Sequence, residues 1–191
     1  MNIFSFVQEA LAAASSEPES DLPAGQLHKD RSSRFVESLA SQLRLHYEDR
    51  KEVAVLSMHF SGNRSRFGLN ELLYDVLVCE TANIMSATNQ EDLTYVTKGI
   101  WAIESEFERD SREALYDFNK LVLSSTENVL FIGPVVADNE GFLGVLSGAA
   151  EKCSANTYAV LVPHPSDWTE GATLQAEGYQ WQDSAWKPAT K

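Results

Sequence analysis

The chain of 191 residues is short of most features that would assign it quickly. It has two cysteines, Cys79 and Cys153, both in apolar surroundings and without close-spaced partners. That pattern excludes a dense disulfide framework and reads as buried free thiols ahead of any disulfide or metal role. No stretch approaches the roughly 20 apolar residues of a membrane span. The N-terminal run MNIFSFVQEALAAASSEPESD has no basic region before its apolar residues, and Glu9 interrupts it, so the expectation is a cytoplasmic chain without a signal peptide. Positive charge is also scarce: 15 Lys and Arg face 28 Asp and Glu, a formal net charge of −13. Acids exceed bases in every third of the chain, which weighs against non-specific attraction to nucleic acid or to an anionic membrane. A local basic patch remains compatible with that balance. The Gly-rich stretch at 139–153 lacks the GxxxxGK[ST] pattern of a phosphate loop, and no internal repeat is visible.

What the chain does have is core material: 43% hydrophobic residues, with four Trp, six Tyr and nine Phe. Ile3, Phe4, Val7 and Leu11 recur at helical spacing, and the Ser-, Pro- and Gly-containing run SSEPESDLPAG after them reads as a linker. A second helix is expected from about Asp30, as cap, to Tyr47, with Phe35, Leu39, Leu43 and Tyr47 on one side and Glu37 off that line. Strands are expected at Glu52–Phe60, at Glu71–Thr81, and from about Leu93 into KGIWAIESEFERD; the loop SGNRSRFG separates the first two. The second and third read as antiparallel neighbours. The period then changes to helical in SREALYDFNKLVLSS, with Ser111 as cap. NVLFIGPV suits a strand buried on both faces, DNEGFLGVLSGAAEKC a helix whose glycines allow close packing on the sheet, and TYAVLVPHP a last core strand. The tail EGYQWQDSAWKP suits a small hairpin whose aromatics cover a core edge. This order implies an α/β (α+β) three-layer sandwich with a central mixed sheet. It divides into residues 1–29 (helix and linker), 30–165 (core) and 166–191 (extension beside the core).

Acids at the end of the third strand carry the chemistry. A strand continuing through Glu104 and Glu106 points both to one face, and antiparallel pairing brings Asp75 near them after a small register offset or a bulge. Carboxylates so close repel unless they share a proton or a cation, and oxygen-only donors select Mg²⁺ or Mn²⁺. The other reading ends the strand before Glu104 and makes ESEFERD a solvated turn at a helix N-terminus. Lys120, three residues after Asp117 on the following helix, either reaches these acids or extends to solvent from an amphipathic helix.

The stretches LLYDVLVCE, IWAIESEFERD and ALYDFNKLVLSSTENVLFIGP, in their order of helix, three strands, helix and strand, resemble the restriction-endonuclease-like, or PD-(D/E)xK, nuclease superfamily. The resemblance covers about residues 30–162. It implies that fold and a Mg²⁺- or Mn²⁺-dependent phosphodiesterase acting on DNA, with Asp75 and Glu104 as metal ligands and Glu37 as the acid some members place on the first helix. Tyr74 stands where the motif has proline. Glu106 stands where it has the catalytic lysine, and Lys120 is the candidate for a lysine migrated to the next helix.

The expectation is therefore a divalent-metal-dependent nuclease with Asp75, Glu104, Glu106 and Lys120 in its site. Arg64 and Arg66 are candidate phosphate contacts, followed by Arg109 and Arg112, which lie beside acids. The rival expectation is a catalytically silent nuclease-like domain that binds a protein partner, with a homodimer compatible with either.

Overall fold

The computed structural model describes residues 1–16, 23–88, 90–169 and 172–189. Among them are five helices and one mixed sheet of seven strands, whose spatial order follows the chain. Helix α1 (Ile3–Ser15) is capped by Asn2, whose side chain accepts from the Phe4 N–H, and it buries Ile3, Val7, Ala10, Leu11 and Ala14. Helix α2 (Ala24–His46) starts six residues before the expected cap. Pro23 fixes its entry, with the N–H groups of Gln26 and Leu27 donating to the Pro23 carbonyl at 2.9 Å. Asp30 lies inside that helix and pairs with Arg34 at 2.8 Å.

Strand β1 (Val53–Ser57) leads into a region expected as loop, where residues 62–67 form the short helix α3 (Gly62–Phe67). It ends on Gly68 at φ 75°, a left-handed conformation that glycine adopts without a steric penalty. Strand β2 (Val76–Met85) begins five residues later than its sequence suggests, because Leu73 takes φ 67° and breaks the extended chain. Asp75 therefore stands at the entrance of the strand instead of mid-strand. Strand β3 (Asp92–Ser105) pairs antiparallel with β2, Val76 opposite Ile103, with register shifts at Val78/Cys79 and Glu80/Thr81.

Helix α4 (Ser111–Val122) is capped by Asp110, one residue before the expected Ser111. It leads to β4 (Asn128–Pro134), and helix α5 (Asn139–Ala150) leads to β5 (Asn156–Val162). Strands β3, β4 and β5 run parallel. Strands β6 (Glu177–Gln182) and β7 (Ala185–Pro188) form the closing hairpin and extend the sheet antiparallel from β5.

Alternation along the strands divides the core in two. Val55, Val76, Val78, Trp101, Ile103, Leu130, Ile132, Val160 and Val162 face α1 and α2. Ala102, Val129, Phe131, Ala159 and Leu161 face α4 and α5. Each fully buried large side chain of this kind contributes about 1.5–3 kcal/mol. Helix α5 packs through Phe142, Leu143, Leu146 and Ala150, whereas Gly144 and Gly148 have nothing within 4 Å of where a Cβ would stand. Those two glycines do not serve the close packing expected of them. The tail aromatics do meet the core edge: Trp186 donates its indole N–H to the Leu143 carbonyl at 2.9 Å. No helix among the described residues is long and apolar enough to cross a membrane.

Candidate active site

The entrance of β2 and the end of β3 meet at one end of the sheet, beside the carboxyl end of the parallel strands where open α/β sheets commonly bind ligands. With Val76 opposite Ile103, Asp75 comes level with Glu104 and Ser105. The Ser105 N–H and Oγ–H both donate to Asp75 Oδ2, at 2.9 and 2.6 Å. These two bonds fix the carboxylate and leave Oδ1 for another partner.

Glu104 lies on the α4 face, with Ala102 and opposite to Ile103, and is 1% exposed. Lys120 reaches it from α4, Nζ to Oε2 at 3.1 Å, and the same ammonium lies 2.8 Å from Asp117 Oδ1. Glu104 Oε1 is buried and has no hydrogen-bond partner. Glu106 extends the ladder one residue past the strand, its N–H donating to the Ile132 carbonyl at 3.0 Å. Its carboxylate accepts from the Glu108 N–H at 2.7 Å and also meets Asp117.

Two carboxyl groups, Glu104 and Asp117, thus meet one ammonium, with Asp75 beside Glu104 and Glu106 beside Asp117. Burial, then the neighbouring Asp75 charge, pushes Glu104 up to about 8 against the pull of Lys120. Burial also raises Asp75, with the Ser105 bonds pulling it back. Glu106 is raised by burial and by Asp117, in part offset by the Glu108 N–H. Burial works against the Lys120 ammonium, but Asp117 and Glu104 outweigh it and hold the group charged. Burial and the Asp75 charge thus outweigh the pull of Lys120 on Glu104, and the carboxyl stays raised although its partner is a charged lysine.

A buried carboxyl oxygen without a partner costs about 1–3 kcal/mol. The free oxygens of Asp75 and Glu104 are hard donors of the kind Mg²⁺ and Mn²⁺ take. Among the described residues no three His, Cys, Asp or Glu side chains form a group able to hold a metal. Two carboxylates fit Mg²⁺ nonetheless, since that ion keeps several waters and is commonly held by one or two carboxylates plus substrate phosphate.

Glu37 does not complete such a set. It pairs with Arg44 and accepts from Ser57 Oγ at 2.8 Å, and so fastens α2 to the end of β1. Of the candidate phosphate contacts, Arg66 is held away from these acids. Arg64 is exposed on α3, and Arg66 donates to Thr81 Oγ1 at 2.8 Å, six residues along the chain from Asp75 and so about 20 Å away in extended strand. Arg109 pairs with Asp167, and Arg112 with Asp110 and Glu113.

Beside the acids opens a cleft of about 430 Å³ between α2 and the sheet edge. Asp75, Ser105 and Glu106 line one wall, and His28, Lys29 and His164 line the other. Its support is aromatic: Phe107 meets Phe35 and Trp168 edge-on, with ring centroids 5.8 Å apart in both pairs. Arg31, buried on α2, donates to the Pro165 carbonyl at 2.7 Å and ties down the far rim. Ser105, Arg31 and the histidines escape sequence reasoning, since their partners are 30 to 134 residues away or carry no local spacing. A serine between acids at a strand end is the nearest thing to a signal. A larger cavity, about 680 Å³, opens at the opposite ends of the strands around Tyr47, Trp101 and Tyr158, with Glu127 the one carboxylate among the described residues that line it. The chemistry is therefore assigned to the smaller cleft.

No protein-family model, curated protein or solved structure matches the chain.

Proposed function

We propose that this chain is a divergent restriction-endonuclease-like domain and a divalent-metal-dependent phosphodiester hydrolase acting on nucleic acid, with DNA the leading substrate. The observation that carries the reading is the buried Glu104 carboxyl, one oxygen unpartnered and the other on Lys120, level with an Asp75 that Ser105 holds in place. The element succession α2–β1–α3–β2–β3–α4–β4 supports it, as the order that the resemblance implies with the short α3 added between β1 and β2.

Asp75 and Glu104 would hold the ion. When bound, Mg²⁺ or Mn²⁺ polarises a phosphoryl oxygen and lowers the pKa of a coordinated water. Lys120, kept charged between Asp117 and Glu104, orients the attacking water and offsets negative charge on the five-coordinate phosphate. Glu106 adds a carboxylate in place of the usual lysine, and Asp117 takes up the positioning of Lys120. Glu37 positions α2 and has no ligand role in this scheme.

One observation favours a second reading: Glu106 holds the lysine position in a chain of net charge −13. A nuclease-like domain that has lost hydrolysis and binds a protein partner is consistent with it.

The deciding experiment is Mn²⁺ titration by thermal shift on the wild type and Glu104→Gln, paired with Mn²⁺-dependent cleavage of labelled DNA. A carboxylate-dependent rise in Tm together with cleavage lost in Lys120→Met supports the hydrolase. Metal-insensitive melting of the wild type sinks it and leaves the interaction module.

A further inference from the structure

The cleft beside the acids differs chemically between its walls, and its lining limits what can enter. Among the described residues that line it, Lys29 is the one with a permanent positive charge. Arg66, Arg109 and Arg112 are engaged with Thr81, Asp167, Asp110 and Glu113, and Arg64 is exposed on α3 and does not line the cleft. Glu71 and Glu108 stand at the cleft and repel phosphates that run past it. A duplex is held mainly by neutralising many phosphates at once, and this surface cannot do that. What it offers instead are flat and apolar faces. His28 and His164 meet edge-on with centroids 5.3 Å apart, Phe107 lies between the acids and the aromatic support, and Met58 is 55% exposed at the wall. Single-stranded nucleic acid is held by positive charge along its backbone together with aromatic faces on which its unstacked bases lie, and the cleft pairs one cation, Lys29, with such faces. A volume of about 430 Å³ lies within the usual range for a small-molecule site, roughly 300–1,000 Å³.

We propose that this cleft takes one unstacked nucleotide of a single-stranded nucleic acid, its base against Phe107 and the His28–His164 pair, its phosphate between Lys29 and Asp75, behind which Glu104 lies buried. The assignment names the substrate form for the proposed hydrolase and rests on reading those acids as its reaction site.

The test uses the full chain, fluorescence anisotropy at low salt with Ca²⁺ present, and two probes: a labelled thymidine octanucleotide and a blunt duplex of equal length. The single strand is expected to bind about tenfold or more tightly, the equivalent of about 1.4 kcal/mol. Lys29→Ala should lower the slope of log K against log salt by about 0.7, one phosphate contact on a single strand. His28→Ala should weaken the single strand about fivefold or more, as loss of a stacking face does. Equal or tighter binding of the duplex overturns the inference, as does single-strand binding untouched by both substitutions, or no binding of either probe. Cleavage assays in Mn²⁺ separate the two claims. Tight single-strand binding without cleavage sinks the hydrolase and keeps the cleft assignment, whereas equal cleavage of both forms keeps the hydrolase and sinks the cleft assignment.

Discussion

Lys120 Nζ lies 3.1 Å from Glu104 Oε2, joining a helix residue to a strand residue sixteen positions earlier. The contact exists because α4 folds back over the end of β3 and buries Ala114, Phe118 and Leu121 against the sheet, which leaves Lys120 at its inner edge. Packing of the apolar face thus delivers the charge, and Asp117, three residues before it, keeps the ammonium oriented at 2.8 Å.

Lys120→Ala should therefore destabilise the metal-free protein by about 1–2 kcal/mol. Removing one partner of a fully buried pair costs about 3–5 kcal/mol. Lys120 is 48% exposed, so solvent screening reduces that figure. Urea unfolding checks it. Full retention of stability would mean that the Lys120 contacts with Glu104 and Asp117 contribute nothing to the fold.

Stability of the metal-free protein should also depend on pH through Glu104. Its folded pKa, about 8, lies above the ordinary 4.5, so the folded state binds the proton more tightly than the unfolded chain does. The group's contribution is full below about 4.5 and is lost as pH rises through about 8. Glu104→Gln removes the titration and leaves the similarly raised Asp75 and Glu106 in place. The Tm of Glu104→Gln relative to wild type should climb across that window and level off above it. A constant difference from pH 5 to 9 would contradict the burial of an ionisable carboxyl at this position.

Much of this arrangement was legible in the sequence, and its gaps have physical causes. β4 reads as buried on both faces from NVLFIGP alone, and burial along it is nearly continuous. The approach of Asp75 to Glu104 follows from antiparallel pairing, but its closeness depends on register shifts at Val78/Cys79 and Glu80/Thr81 that no periodicity encodes. The late start of β2 depends on Leu73 at positive φ, a conformation its side chain disfavours and its sequence does not announce. Glu37 has the right charge on the right helix, yet Arg44, seven residues on, and Ser57 claim it. The cleft was out of reach altogether, because His28, His59 and His164 meet only once α2, the β1–α3 turn and the segment after β5 have packed.

The cleft's support should be sensitive to Trp168. Its ring is 1% exposed, lies 5.7 Å from Phe35 and 5.8 Å from Phe107, and donates its indole N–H to the Pro163 carbonyl at 2.7 Å. Trp168→Phe keeps most of the packing and loses the hydrogen bond, for about 1–2 kcal/mol. Trp168→Ala also opens a cavity and should cost about 3–5 kcal/mol. Denaturant midpoints at unchanged m-value would show this ordering, and equal costs would assign the role to the hydrogen bond alone.

Gly99 supplies the last expectation, because it stands in β3 where β2 shifts register and the chain after α4 crosses close by. A Cβ built on it would meet Thr126 Cγ2 at 2.3 Å, with Thr126 Cβ and Cα at 3.1 and 3.2 Å. Neither side moves freely. The Gly99 carbonyl accepts from the Glu127 N–H at 3.1 Å, and Thr126 is held by Ser124 Oγ at 2.7 Å and the Asn128 carbonyl at 2.8 Å. Gly99→Ala should therefore cost about 1–3 kcal/mol, the usual range for overpacking, although alanine is otherwise the better strand residue. Thr126→Ser removes the clashing methyl and keeps the hydroxyl bonds, so adding it to Gly99→Ala should recover part of the loss. A double-mutant cycle by thermal unfolding measures that coupling. Strict additivity of the two substitutions would show that the strain arises from the backbone contact and not from the methyl.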